Sequence, residues 1–123
     1  MRSTILVSAL LGILALGATA SARAEIRFYY INKQGQQTNI FLVMNTNKEG
    51  CHAFPIARKV NRVAVLDFKY CTLYRTRSCE AGTEIPARWQ NKAKKEAIQL
   101  TEGSRWILKE NGEVEVSAWQ CVK

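Results

Sequence analysis

The sequence predicts an all-β domain, an antiparallel β-sandwich braced by disulfides. Short runs rich in β-branched and aromatic residues recur along the chain, with turn-forming residues between them. The chain also has four cysteines, an even number in a short sequence, which is typical of two disulfides in an exported protein. No low-complexity tract or linker interrupts the pattern, so a single folded unit is expected.

The N-terminus predicts a secretory signal peptide over residues 1–24. A basic start at Arg2 precedes an apolar run of about 14 residues, and small residues follow it, ending in an Ala-x-Ala sequence. A membrane-spanning helix needs roughly 20 apolar residues, which is longer than this run. We expect cleavage after Ala24, with Ala20 and Ala22 as alternatives. The mature protein would be secreted and extracellular.

The mature chain, residues 25–123, has the length of one domain. Loss of Arg2 and Arg23 leaves 16 of the 18 lysines and arginines against 10 acidic residues, a formal net charge of +6. A domain of this size buries a modest core, so disulfides contribute usefully to its stability.

The strand pattern can be followed in order. Residues 25–45 predict two strands joined by a polar turn with Gly35, and residues 61–75 predict two more β-rich runs. Further strands are predicted within residues 82–89, 104–109 and 113–121, and "ENGE" marks a hairpin turn before the last of them. Only residues 91–100, "NKAKKEAIQL", predict a helix.

The two halves of the mature chain repeat one arrangement of strands and turns. "IRFYYINKQGQQTNIFLVMN", "CHAFPIARK" and "NRVAVLDF" parallel "YCTLYRTRSCEAGTEIPARW", "TEGSRWILK" and "GEVEVSAWQC". Tyr29 or Tyr30 precedes Gly35 in the first half, as Tyr74 precedes Gly82 in the second. The arrangement resembles the βγ-crystallin family, in which an aromatic residue packs on a hairpin bent at a glycine. The resemblance implies two Greek-key motifs in a single sandwich, in a small secreted microbial protein.

The cysteines predict structural bridges. Cys71 and Cys79 are separated by seven residues and no close Cys-x2-Cys pair occurs, which disfavours redox and zinc sites. A turn near residues 75–76 would join Cys71 to Cys79 and leave Cys51 for Cys121. The Greek-key arrangement implied by the resemblance instead favours Cys71 with Cys121 and Cys51 with Cys79. We slightly favour the first, nested pairing, and leave the second open.

Catalysis has little support in the sequence, so we expect no enzyme activity and no catalytic residue. The mature chain holds one aspartate, Asp67, and one histidine, His52, too few for more than one possible Ser-His-Asp triad. Glu113 and Glu115 alternate on one strand, where a solvent-exposed edge is the simpler interpretation. Asp67 itself is interpreted as a strand-end or turn residue.

Calcium is the ligand that the resemblance suggests, and the sequence argues against it. The corresponding stretches, "VNRVAV" and "NGEVEVSA", retain only Asn61 and Asn111 as amides, and Ser117 comes too late in the motif. Calcium prefers several oxygen ligands, with carboxylates among them. We therefore expect no metal site and no cofactor.

Three basic groups remain as candidate binding residues. They are Arg58, Lys59 and Arg62; Arg75 and Arg77; and Arg88, Lys92, Lys94 and Lys95. Trp89 and Trp106 lie near the third group in sequence, although tryptophans at such positions more often pack in a sheet. Clustered charge attracts polyanions, so Arg88, Lys92, Lys94 and Lys95 form the candidate polyanion-binding site, and a solvated face that keeps the protein soluble is the alternative interpretation.

The function expected from these features is binding by a secreted, monomeric, βγ-crystallin-like protein through its basic surface. The candidate partners are an anionic membrane surface, an acidic glycan, or a host or competitor protein. A host-directed effector or antimicrobial toxin is one alternative. A protease inhibitor is another, presenting the exposed loop "TRSCEAGTEIP".

Overall fold

The computed structural model describes residues 24–43, 49–91 and 95–123. These residues form eight antiparallel strands and contain no helix, which confirms the all-β prediction. The strands are β1 (Glu25–Ile31), β2 (Gln37–Val43), β3 (Gly50–Val60), β4 (Arg62–Tyr74), β5 (Ala87–Trp89), β6 (Glu96–Ala97), β7 (Leu100–Ile107) and β8 (Val114–Val122). The predicted signal peptide, apart from Ala24, lies outside the described residues.

The long strand β4 organises the sheet. Its first half pairs with β1 on one edge, and its second half pairs with β8 on that same edge. β7 follows its opposite edge. One arm of the sheet therefore has the order β2-β1-β4-β7-β5-β6, and a second arm has the order β4-β8-β3.

The change of partner along β4 takes place at Asp67. This residue has φ of 62°, in the left-handed region that aspartate tolerates better than most residues. The pairing with β7 shifts register between Val65 and Tyr70, so the strand bends at this point. Two β-rich runs were predicted here with Asp67 at a strand end or turn. The structure corrects this, because both runs belong to one bent strand.

An aromatic cluster fills the space between the two arms. The Phe28 ring of β1 lies 5.1 Å from the ring of Phe54 on β3 and 5.8 Å from that of Trp119 on β8. Phe54 and Trp119 are themselves 4.7 Å apart. All three are buried, and aromatic pairs in such tilted geometries add roughly 0.5–1.5 kcal/mol each beyond their burial.

The helix predicted for residues 91–100 is wrong over the described part of that segment. Glu96 and Ala97 form strand β6, which pairs with β5, and Leu100 opens β7. Leu100 is fully buried in the core. Pairing and burial decided the conformation here, against a local preference for helix.

The disulfides join Cys51 to Cys79 and Cys71 to Cys121, so the nested pairing is wrong. Cys71 lies directly opposite Cys121 on the neighbouring strands β4 and β8. The hairpin after β4 does not bring Cys79 back to Cys71, because the Ile85 amide donates to the Leu73 carbonyl. Cys79 therefore lies in the connecting loop, where it reaches the start of β3.

Asn61 is a fully buried polar residue at the turn between β3 and β4. Its side-chain oxygen accepts a hydrogen bond from the Ile31 amide at 2.9 Å. Its amide group donates to the carbonyls of Ile31 and Gly112 at 3.0 and 2.9 Å. Its own backbone bonds to Tyr29 and Leu108. One side chain therefore connects β1 and the segment between β7 and β8 to the start of β4.

Replacing Asn61 by Asp tests this role with almost no change in volume. We expect the free energy of unfolding to fall by about 2–5 kcal/mol, because a carboxylate cannot donate to two carbonyls and those groups lose their partner. Urea denaturation at neutral pH measures the loss. Asn111→Asp, at an exposed turn position, is the matched control. An equal effect of the two substitutions would contradict the assigned role.

The two disulfides should differ in their contribution to stability. They close loops with sequence separations of 50 and 28 residues, for which chain entropy gives about 3–4 kcal/mol each. Cys71 and Cys121 are also almost fully buried, whereas Cys51 is exposed. The Cys71→Ala/Cys121→Ala variant should therefore unfold at a lower urea concentration than Cys51→Ala/Cys79→Ala. The reverse order would count against this account.

Candidate functional site

The residues assigned to a polyanion site do not all line one cavity. Arg88 lies on β5 and lines a cavity of about 220 Å³ together with Arg62 and Arg105. Lys95 lines a different cavity of about 280 Å³, beside Trp89 and Trp106. Lys92 and Lys94 lie outside the described residues. The basic segment therefore contributes Arg88 to one site and Lys95 to another.

Arg88 belongs to a row of side chains that crosses four strands. Tyr29 on β1 is opposite Arg62 on β4, Arg62 is opposite Ile107 on β7, and Ile107 is opposite Arg88 on β5. Directly opposed residues of antiparallel strands project from the same face of a sheet. The pairing register thus places Arg62 and Arg88 on one face, although they are far apart in sequence.

The cavity around Arg62 and Arg88 is strongly cationic. Its charged lining residues are Arg62, Arg88, Arg105 and Glu110, three guanidinium groups against one carboxylate. Glu110 forms an ion pair with Arg88, which also donates a hydrogen bond to the Gln90 carbonyl at 3.3 Å. Arg105 is exposed at the margin of the cavity. An excess of positive charge therefore faces this space.

Arg62 is the most constrained of these arginines. Its Nη1 donates to the carbonyls of Asn61 and Lys109 at 3.1 and 2.9 Å, which fixes the guanidinium near the end of β7. Burial lowers the pKa of Arg62 from its ordinary value, and the neighbouring Arg88 charge lowers it further, while Tyr29 acts in the opposite direction. Positive charge is therefore held here at an electrostatic cost that a bound anion would relieve.

A second cavity of about 460 Å³ adjoins the first. Tyr29 and Ser104 line both, and Arg27, Gln37, Ile40 and Ala64 complete the second. The Tyr29 hydroxyl donates to the Ser104 carbonyl at 3.1 Å, and burial raises the pKa of Tyr29. At the far end Arg27 forms an ion pair with Glu25. We call the two cavities together, from Arg27 to Arg88, the arginine groove.

The tryptophans near the basic segment mainly pack against the sheet. Trp106 is buried and donates from its indole nitrogen to the Thr101 carbonyl at 2.8 Å. Its ring centroid lies 5.1 Å from that of Trp89. The Trp89 ring contacts Gly103 so closely that a side chain at that glycine would collide with it. This agrees with the prediction that the tryptophans are packing residues.

The other candidate residues are dispersed. His52 stacks on Trp119 from β3, whereas Asp67 occupies the bend in β4. Glu113 and Glu115 are both exposed. Within residues 24–43, 49–91 and 95–123, no group of three or more histidine, cysteine, aspartate or glutamate side chains could hold a metal ion. Asn61, part of the calcium-motif comparison, uses its amide for the backbone contacts described above.

Sequence reasoning named Arg62 and Arg88 but placed them in separate basic groups, and it missed Arg27, Arg105 and Glu110. The strand pattern alone gave no pairing register, and only the register brings these residues to one face. One signal was available in the first strand, where Arg27 and Tyr29 alternate with the buried Ile26 and Phe28.

No protein-family model, curated protein or solved structure matches this chain significantly. The described part of the chain has no helix that is both long and apolar enough to cross a membrane.

Proposed function

We propose that this chain is a secreted, non-catalytic βγ-crystallin-like protein that binds polyanions through the arginine groove. The observation that carries the proposal is the cavity in which Arg62, Arg88 and Arg105 face a single carboxylate, Glu110. Three guanidinium groups at one cavity repel each other, and an anionic ligand converts that repulsion into charge-assisted hydrogen bonds.

Strand order supports the Greek-key part of the proposal. In a Greek key the fourth strand returns to lie beside the first. In the first half of the chain, the fourth strand, β4, lies beside β1, and β2 flanks β1 on the other side. In the second half, β8 lies beside the end of β4, and Tyr74 forms an isolated bridge with Glu84 in the segment that follows β4. Each half gives its third strand, β3 or β7, to the sheet arm of the other.

The glycines that carry the resemblance also occupy suitable conformations. Gly35 has φ of 82° and Gly82 has φ of 95°, both in the region that glycine adopts without strain. Tyr74 is buried before the second hairpin, and Tyr30 is half-buried before the first. These features support an assignment of the two halves as repeated hairpin-bearing motifs.

Export is supported by the two disulfides, which persist in oxidising compartments. Ala24 is buried in the core beside β1, with 1% of its surface exposed. Cleavage after Ala24 would remove this core contact, whereas cleavage after Ala20 or Ala22 would retain it. Packing therefore favours the two alternative positions for signal-peptide removal.

A protease inhibitor is the second candidate, favoured by the loop that follows β4. Cys79 ties this loop to β3, and the Thr83 amide and hydroxyl both bond to the Glu80 carbonyl, at 3.1 and 2.7 Å. Arg77 and Ser78 are exposed on it. A braced loop loses less entropy on binding. Tight, stoichiometric inhibition of a protease would support this function.

A host-directed effector or antimicrobial toxin would use the same arginine groove on an anionic cell surface. Its distinguishing property is a biological effect, namely membrane leakage or growth inhibition by the purified protein. Binding to isolated polyanions without either effect would support the simpler binding function.

The groove arginines should carry the binding. In Arg88→Gln/Arg105→Gln, affinity for a heparin-like polyanion should fall by roughly ten-fold per arginine, because each charge-assisted contact contributes about 1.5 kcal/mol. The difference should shrink as salt rises. Arg75→Gln/Arg77→Gln removes the same charge from a loop outside the groove and is the matched control. Lys92→Gln/Lys94→Gln/Lys95→Gln tests the original site assignment, and a larger loss there would overturn the assignment to the groove.

Glu110 should act as an internal competitor for the ligand. Its ion pair occupies Arg88, whose side chain is only 22% exposed. In Glu110→Gln, affinity for the same polyanion should rise several-fold. The ligand no longer has to break the ion pair between Glu110 and Arg88, which contributes up to roughly 1 kcal/mol. Glu113→Gln changes the net charge equally but lies outside the groove. Equal gains in both variants would indicate a long-range charge effect and contradict a site at Arg88.

A further inference from the structure

We infer that the arginine groove binds a linear acidic glycan lying across the strands, an inference that rests on the polyanion-binding function proposed above. The groove extends over four adjacent strands, from Arg27 on β1 past β4 and β7 to Arg88 on β5. Three interstrand spacings amount to about 14 Å. A ligand that uses the whole groove must therefore be elongated and carry more than one negative charge.

The ends of the groove indicate which anions it accepts. Arg27 is paired with Glu25 at one end, and Arg88 is paired with Glu110 at the other. Both pairs are guanidinium–carboxylate contacts, the geometry that also suits sulfate. The protein's own carboxylates therefore stand where repeated carboxylate or sulfate groups of a ligand would bind. Arg62 and Arg105 supply further positive charge between these ends.

The neutral lining suits a sugar backbone better than nucleobases. Gln37, Gln90 and Ser104 offer polar groups for hydroxyls, and Ile40, with 52% of its surface exposed, offers an apolar contact at the margin. Sites for single-stranded nucleic acids combine positive charge with aromatic side chains on which successive bases stack. In the described structure the groove has one aromatic residue, Tyr29, whose hydroxyl is engaged with Ser104.

The recessed position of Arg62 and Arg88 favours a narrow chain over a flat membrane. The Arg88 side chain is 22% exposed, and Arg62 is half-buried and held by two carbonyls. Lipid headgroups in a bilayer form a broad surface, which is best contacted by protruding side chains. A polysaccharide chain can enter the groove and reach guanidinium groups that a bilayer surface cannot.

The test blocks the groove without changing charge. Ser104 is exposed and lines both cavities, so Ser104→Trp should obstruct their junction, while Ser78→Trp in the loop after β4 is the matched control. Calorimetry would use four probes: a polyuronate, a sulfated polysaccharide, a neutral polysaccharide, and vesicles containing anionic lipid. We expect Ser104→Trp to weaken binding of at least one acidic polysaccharide about ten-fold, as for loss of one charge-assisted contact, and Ser78→Trp to leave it unchanged.

Thermal unfolding would check that Ser104→Trp is folded. A second variant tests the inference without relying on Ser104→Trp. Arg27→Gln alters only the far end of the groove. It should weaken binding of long acidic oligosaccharides and leave short ones that reach only Arg62 and Arg88 unaffected. Equal effects on short and long oligosaccharides would overturn the inference.

The outcomes separate this inference from the function on which it rests. If no acidic probe binds, the polyanion-binding function itself fails. If binding requires Arg88 and Arg105 but a folded Ser104→Trp binds like the parent, only the glycan inference fails. Vesicles bound as tightly as polysaccharides, and unaffected by Ser104→Trp, would likewise overturn it in favour of a membrane surface.

Discussion

The fold depends most directly on the buried amide of Asn61. Three strand connections meet at this side chain, which is fully buried and bonds to the amide and carbonyl of Ile31 and to the carbonyl of Gly112. An amide suits this position because it both donates and accepts, which neither a carboxylate nor an apolar side chain can do. Asn61 also helps to position the next residue, because its backbone carbonyl accepts a hydrogen bond from the Arg62 guanidinium. The hydrogen-bond network around Asn61 therefore extends to a residue that lines the arginine groove.

The groove follows from the alternation of side chains along the strands of the sheet. Tyr29, Arg62 and Arg88 project outward because Phe28, Val63 and other neighbours on the same strands project into the core. This outer face carries an electrostatic cost, because like charges approach each other there and the Arg62 guanidinium is partly desolvated. Glu110 and Glu25 offset that cost at the two ends while leaving the middle cationic.

Much of the fold could be predicted from local pattern. Alternation located most strands, and the even cysteine count predicted two disulfides, because both signals are contained in neighbouring residues. The bend at Asp67, the disulfide pairing and the strand at Glu96–Ala97 could not be predicted, since each depends on partners distant in sequence. The candidate site depended most on such distant partners. Arg88 was identified from a run of charge, but its partners Arg62 and Glu110 are joined to it only by register and packing.

The sharing of β4 between the arms has a consequence for how the molecule comes apart. Both halves of the described chain use this one strand, the first through residues before Asp67 and the second through residues after it. If the two halves separated, each would lose strand pairing at one edge of its sheet arm, so neither can persist as an independent unit. Unfolding should therefore be all-or-none, without a half-folded intermediate. A gene encoding either half alone would yield a chain lacking the strand, β7 or β3, that its sheet arm takes from the other half.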